Sequence, residues 1–116
     1  MATIADSVVK GQQKVFIDTI LNGTSTTNGV DMGVYRAVGL SIPAAFTGTT
    51  LTFKSSYSGN SHVPVHDSSG SAISVTVGPS RRVVLNPANF YGIRHLQIVS
   101  GSAESADRVI TIVCEA

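Results

Sequence analysis

The alternation of apolar and polar residues over residues 34–57 constrains the fold more than any other feature of the chain. Successive side chains of a β-strand point to opposite faces, so a period of two marks a strand with one buried face. In the second half of this stretch, one face is predicted to carry Leu51, Phe53, Ser55 and Tyr57, and the other Thr52, Lys54 and Ser56. In the first half, Val38, Leu40 and Ile42 are predicted to share a face of a strand that stops at Pro43, which cannot donate to a continuing ladder.

Short runs of the same kind recur along the rest of the chain, at the spacing of about 8–12 residues that is typical of sandwiches. Eight strands are predicted, at residues 14–21, 34–42, 50–57, 62–66, 72–77, 82–85, 93–99 and 108–114. The last run is almost entirely β-branched, which is typical of a strand buried on both faces or central in a sheet. We therefore expect an all-β fold, a jelly-roll-like β-sandwich of about eight short antiparallel strands.

The expected organisation is an N-terminal arm at residues 1–13 and a single β-sandwich domain at residues 14–116. Two Asn-Gly pairs predict that residues 22–33 form a long loop, and the sequence SGSAESA predicts a flexible connection at residues 100–106. The N-terminus lacks the charged start and long apolar core of a secretory signal or a membrane anchor. The chain is therefore expected to be made and folded in a cytoplasm.

Charge and cysteine content exclude several classes of function. Charged residues make up 13% of the chain, against roughly 25% in an ordinary soluble domain, and the net charge is +1. This balance provides no electrostatic footprint for nucleic acid or for an anionic membrane, so neither partner is expected. Cys114 is the single cysteine, which rules out an intramolecular disulfide and a zinc site built on several thiolates; we expect it to be a small buried hydrophobe.

Two groups of residues are candidates for sites of chemistry. His62 and His66 flank Pro64, but their Cβ atoms would lie about 13 Å apart along a strand, too far to share a metal ion. They are expected to be exposed histidines of an edge strand. His95 and Asp107 accompany many serines, yet no Gly-x-Ser-x-Gly elbow is present. We expect no enzymatic activity, no cofactor and no metal.

Candidate partner-binding residues fall into two groups. One group is a basic stretch in the second half of the chain, Arg81-Arg82 and Arg94-His95, with Phe90 and Tyr91 between them. Arginines and aromatic side chains are enriched at interface hot spots, so this stretch is a candidate contact. The same residues are equally well explained as a solvated loop and strand end that pack on their own sheet. The arm and the long loop are the other candidates, because an arm that orders on binding can cover a large surface. The candidate residues are Val8, Val9, Lys10, Thr26, Asn28, Val30, Met32, Arg81, Arg82, Tyr91 and Arg94.

The motifs YRAVGLSIPAAFTGTTLTFKSS, RVVLNP, FYGIR and ADRVITI occur in this order along the chain. With these motifs the chain resembles, over roughly residues 34–113, a group of small virion-associated proteins of tailed bacteriophages. The resemblance implies a structural protein that binds the outside of the phage capsid as a cement or decoration protein, after synthesis in the cytoplasm of the bacterial host. The implied partner is the major capsid protein, and symmetry favours self-association as a homodimer or homotrimer.

Two alternatives stay open beside the decoration protein. One is a tail or neck component of the virion. The other is a carbohydrate-binding module, because the order of the elements is similar to that of galactose-binding-like sandwiches. Those modules present aromatic rings for sugar stacking, whereas this chain has no Trp and three Tyr.

Overall fold

The computed structural model describes residues 12–116, which form nine strands and one short 3₁₀ helix. The strands are β1 (Gln13–Ile20), β2 (Val30–Asp31), β3 (Arg36–Ser41), β4 (Thr50–Ser56), β5 (Val63–Pro64), β6 (Ser74–Thr76), β7 (Arg82–Val84), β8 (His95–Ser100) and β9 (Arg108–Glu115). The 3₁₀ helix spans Pro87–Phe90 and is capped by the side chain of Asn86. The predicted all-β fold is confirmed, with β2 as a strand that the sequence did not predict.

The strands form two antiparallel sheets. The four-stranded sheet has the order β1-β9-β3-β7, and the five-stranded sheet has the order β2-β8-β4-β5, with β6 also paired to β4. Leaving out the two-residue β5, the chain builds two four-stranded sheets connected as in a jelly roll. β5 pairs with β4 alone and lies at a sheet edge, as Pro64 predicts.

The core lies between the two sheets and is filled by aliphatic and aromatic side chains. Phe53 of β4 packs edge-to-face on Phe90 of the 3₁₀ helix, with ring centroids 5.1 Å apart. Cys114 is fully buried, and burial raises the pKa of its thiol to about 11, in agreement with the predicted small hydrophobe. The buried core comprises Ile20, Met32, Ala37, Leu40, Ile42, Phe46, Leu51, Phe53, Ile73, Val77, Leu85, Phe90, Leu96, Ile98, Ile110, Ile112 and Cys114.

A β-bulge in β3 changes the face that one predicted core residue occupies. Ala37 pairs with Cys114 and Gly39 pairs with Val113, so Val38 is an extra residue in the ladder. Ala37 is fully buried and Val38 is half-buried, which makes the assignment of Val38 to the face of Leu40 wrong. An inserted residue shifts the alternation by one position, and the predicted faces of Leu40 and Ile42 beyond it are correct.

The end of β4 departs from the predicted alternation as well. Ser56 is buried, whereas Tyr57, predicted on the face of Phe53, is 98% exposed. The Ser56 hydroxyl donates to the carbonyl of Asn60 and accepts from the backbone N–H of Ser58 and Gly59. Because these bonds turn the chain immediately after Ser56, the strand ends there and Tyr57 lies outside the sheet.

Both predicted loops are fixed by specific contacts. In residues 22–33, the Thr27 N–H donates to the Ile98 carbonyl at 2.9 Å, and the Thr27 hydroxyl accepts from the Ile98 N–H at the same distance. In residues 101–107, the side chain of Glu104 is buried and bonded to Thr47 and Arg108. The connection predicted at residues 100–106 is therefore held at its centre by a buried charged side chain.

Candidate binding face

One face of the four-stranded sheet points away from the core and is apolar. In β1 and β9, Ile20, Ile110, Ile112 and Cys114 are fully buried, so the residues between them point outward. Among these, Val15 is 56% exposed, Ile17 65% and Val109 46%, and Val84 of β7 is 88% exposed. We call this surface the outer apolar face; it consists of Val15, Ile17, Thr19, Gly39, Ser41, Arg82, Val84, Val109, Thr111 and Val113.

The strand register arranges the outer apolar face in rows that cross the sheet. The first row is Val15, Val113, Gly39 and Val84, each paired with the next across all four strands. The second row is Ile17, Thr111, Ser41 and Arg82. The first row forms an apolar strip across the sheet, in which Val15 and Val113 are cross-strand neighbours with Cβ atoms about 5 Å apart. Gly39 leaves a hollow in this strip beside Val113 and Val84.

Polar residues close the face at one end. Gln13, Glu115 and Arg36 form the row next to the apolar strip, and the Gln13 side chain donates to the Glu115 carboxylate at 3.3 Å. The guanidinium of Arg36 lies 4.2 Å from the ring centre of Tyr91, which is 63% exposed. An apolar centre with a polar and aromatic border is the usual anatomy of a protein interface.

The five-stranded sheet has a different outer surface. Its buried residues include Leu51, Phe53, Leu96 and Ile98, so their strand neighbours point to solvent. Most of the residues on this outer surface are polar: Thr52, Lys54, His95, Gln97 and Asp31, which pairs with His95. Within residues 12–116, the outer apolar face is thus the less polar of the two outer surfaces of the sandwich.

The predicted partner-binding residues are divided between the two sheets. Arg82 lies on the outer apolar face and Tyr91 at its border. Arg81 is exposed and its side chain lies against Gly78. Val8, Val9 and Lys10 lie outside the described residues.

The remaining predicted residues belong to the five-stranded sheet and the loop beside it. Thr26 pairs with Val99, Asn28 is exposed, and Val30 is half-buried against the core. Arg94 forms an exposed ion pair with Asp31. Met32 is fully buried, with its sulfur 3.7 Å from that of Cys114, so it is a core residue without a surface to offer a partner.

Sequence reasoning missed four large exposed residues of the face, Val15, Ile17, Val84 and Val109. The sequence contains a signal for such a face in residues 108–114, where apolar or β-branched residues occupy both faces of the strand. The composition of this run predicts a strand buried on both faces or central in a sheet, and the second alternative is confirmed, because β9 is central in its sheet and buried on one face.

A small polar depression of about 140 Å³ lies at one end of the five-stranded sheet. It is lined by Asn28, Gly29, Val30, Asp31, Gly59, His62 and His95. His62 therefore lies apart from His66, which pairs with Ala72. The bond from Arg94 lowers the pKa of the neighbouring Asp31 to about 2. Within residues 12–116, no three His, Cys, Asp or Glu side chains are grouped so that they could hold a metal ion.

A larger groove of about 340 Å³ follows β4. It is lined by Ser55, Ser56, Tyr57, Ser58, Asn60, Ser61 and Val63. The exposed ring of Tyr57 stands among hydroxyl and amide groups, an arrangement that combines a stacking surface with hydrogen-bonding partners.

In the part of the chain that the structure describes, no helix is long and apolar enough to cross a membrane. No protein-family model matches the chain, and no curated protein matches it. Among solved structures, the chain is similar to the SPBc2 prophage-derived protein YomS, with a TM-score of 0.54 and 14% sequence identity over 94% of this chain and 100% of that chain. The nearly complete coverage on both sides shows that the two proteins share one fold.

Proposed function

We propose that this chain is a structural protein of a bacteriophage particle that binds the outer surface of the assembled capsid and stabilises it. The observation that carries the proposal is the outer apolar face. Within residues 12–116, three of the four strands leave aliphatic side chains uncovered, and such a surface is suited to be covered by protein, either a capsid subunit or another copy of the chain. The fold shared with a prophage-derived protein supports the phage setting.

The proposed mechanism is thermodynamic. A protein that binds the assembled shell, and not its separated subunits, stabilises the shell by mass action. Many copies on a symmetric shell would multiply a modest affinity per copy into a large resistance to opening. The major capsid protein is the proposed partner, and the low charge of the chain, 13% of its residues, favours close packing of many copies.

The test is the number of copies in purified particles, combined with the heat stability of particles that lack the protein. Hundreds of copies per particle, and a lower opening temperature when the gene is deleted, are expected. About a dozen copies or fewer, with unchanged heat stability of the head, would contradict decoration and place the protein in the tail or neck.

The groove around Tyr57 favours one second candidate, a carbohydrate-binding module carried on the virion. The ring of Tyr57 is 98% exposed and lies beside Asn60 and Ser58. Sugars stack on aromatic rings and bond to neighbouring hydroxyl and amide groups. Saturable binding on a glycan array, lost in Tyr57→Ala and kept in Tyr91→Ala, would support this candidate; the absence of binding to every glycan would contradict it.

A further inference from the structure

We infer that the outer apolar face is an interface between two copies of this chain, stacked sheet on sheet around a two-fold axis that runs along the strands between β9 and β3. The inference does not depend on the phage setting, because it concerns the isolated protein. It rests on three observations: the symmetry of the rows, the position of opposite charges, and the size of the face.

The symmetry of the rows decides which residues meet. A two-fold axis between β9 and β3 places β9 over β3 of the second copy and β1 over β7. In the first row, Val15 then lies over Val84 of the second copy. Val113 lies over the hollow at Gly39, where a side chain on Gly39 would approach Val113 and the carbonyl of Val83. In the first row, the projecting Val113 therefore meets a recess in the other copy. In the second row, Ile17 lies over Arg82 of the other copy.

The charges at the polar end fit the same arrangement. Glu115 of β9 and Arg36 of β3 are neighbours in one row, one on each side of the axis. The rotation places Glu115 over Arg36 of the second copy, and does so twice. An axis perpendicular to the strands would instead carry this row to the opposite end of the face, away from its complement. Opposite charges at the border fix the register of an interface more than they add affinity.

The size of the face is sufficient for a dimer of modest affinity. Four strands spaced about 4.8 Å apart, with up to eight residues rising about 3.3 Å each, cover roughly 19 by 26 Å. A standard interface buries about 800 Å² on each partner. The face is smaller than this, so a weak dimer is expected, one that forms at high micromolar concentrations.

A second copy is favoured over an unrelated partner, because all three features are properties of one surface against itself. Stacked sheets pack about 10 Å apart, and the β-branched side chains of β1 and β9 have the size and shape of sandwich-core residues. The five-stranded sheet and the loop of residues 22–33 stay uncovered in such a dimer, so the dimer would contact a capsid through this side of the sandwich.

The first experiment measures the mass of the protein in solution by sedimentation velocity over a range of concentrations. The wild-type chain is expected at twice its mass of 12.0 kDa at high micromolar concentration. Val15→Lys and Val84→Lys are expected to be monomers under the same conditions, with at least a tenfold weaker association. Val63→Lys is the matched control, since Val63 is 59% exposed on β5 of the other sheet, and it should remain a dimer.

The second experiment tests the geometry with cysteines. Within one chain, Val15 and Val84 lie three strands apart, about 14 Å, too far for a short crosslinker to join them. A Val15→Cys and Val84→Cys double variant should therefore form a covalent dimer with a short bis-maleimide crosslinker, which can join facing residues of two stacked sheets, while each single variant should not. Cys114 is fully buried and provides little background.

Three results would overturn the inference. They are a wild-type monomer at several hundred micromolar, equal loss of association in Val63→Lys and Val15→Lys, or efficient crosslinking of Val15→Cys alone. If the isolated protein is a monomer but Val84→Lys no longer binds capsids, the face belongs to the capsid contact and the proposed function survives without the dimer.

Discussion

Replacing Glu104 by Gln tests whether a buried ion pair fixes the connection between β8 and β9. The Glu104 side chain has no exposed surface, and its carboxylate accepts from the Arg108 Nε at 2.9 Å. It also accepts from the Thr47 hydroxyl at 2.7 Å and the Thr47 N–H at 3.1 Å. The backbone of Glu104 bonds to Gly23 and Thr24, so one residue joins three segments of the chain.

The expected loss follows from the exposure of the two partners. Removing one member of a fully buried ion pair costs about 3–5 kcal/mol. The Arg108 side chain keeps 13% of its surface exposed, and the oxygen of the new amide still accepts from Thr47. We therefore expect Glu104→Gln to lower the free energy of unfolding by about 2 kcal/mol. For a chain of this size, the melting temperature should fall by roughly 10 °C.

The matched control is Asp31→Asn, which makes the same change from carboxylate to amide in an exposed ion pair. Asp31 and Arg94 lie 2.8 Å apart, but their side chains are 46% and 61% exposed. Exposed pairs contribute little to stability, so the melting temperature of this variant should stay within experimental error of the wild type. The assay is urea and thermal unfolding of both variants at neutral pH.

The pH dependence gives the assay a second readout. Burial would raise the pKa of Glu104, but the bonds from Thr47 and Arg108 outweigh it and hold the pKa below its ordinary value of 4.5. The contribution of the carboxylate is therefore complete above pH 4.5 and is lost as the pH falls through the lowered pKa. The difference in unfolding free energy between wild type and Glu104→Gln should therefore disappear in acid. A difference that persists in acid would refute the reasoning. So would a loss at neutral pH that is no larger than the loss in Asp31→Asn.

Two further predictions concern buried groups. Burial raises the pKa of Asp18 above its ordinary value of 3.8, so Asp18→Asn, which keeps an oxygen for the N–H groups of Thr19 and Gly29, should stabilise the protein by about 1 kcal/mol at neutral pH. This gain should shrink as the pH falls toward 3.8, and a destabilised variant in urea unfolding would contradict it. At Gly48, a Cβ atom would clash with the Ser100 hydroxyl and come within 2.9 Å of the Phe46 ring, so Gly48→Ala should cost about 2 kcal/mol. Gly39→Ala, whose nearest contact would be an ordinary 3.4 Å, should be nearly neutral in the same measurement; equal losses would show that packing is not the cause.

Strands with a regular alternation could be predicted from the sequence, because one buried face fixes the register of a strand. In β6, the predicted face of Ile73, Val75 and Val77 points to the core, and β8 buries Leu96 and Ile98 as expected. The central place of β9 also follows from its composition.

Positions that depend on contacts distant in sequence could not be predicted. Nothing beside Val38 distinguishes a bulge from a regular strand except Gly39, and an isolated glycine gives only a weak signal. Met32 lies between Asp31 and Gly33, and Glu104 lies among Gly, Ser and Ala; such residues indicate loops whether or not one side chain is buried. Met32 is buried against Cys114, and Glu104 is buried against Thr47 and Arg108. The composition around each residue therefore does not predict its burial.

The outer apolar face is a different case, because there the sequence and the isolated chain disagree about burial. Residues 108–114 have the composition of a strand covered on both sides, and within one chain Ile110, Ile112 and Cys114 account for only one of them. Val109, Thr111 and Val113 keep the other side β-branched, although a solvated face would tolerate polar residues, as the five-stranded sheet does at Thr52 and Gln97. In the proposed dimer, β9 is covered on both sides, one by its own core and the other by a second copy. Of the two alternatives that the composition predicts, the central place in the sheet already holds in the single chain, and burial on both faces would hold in the dimer.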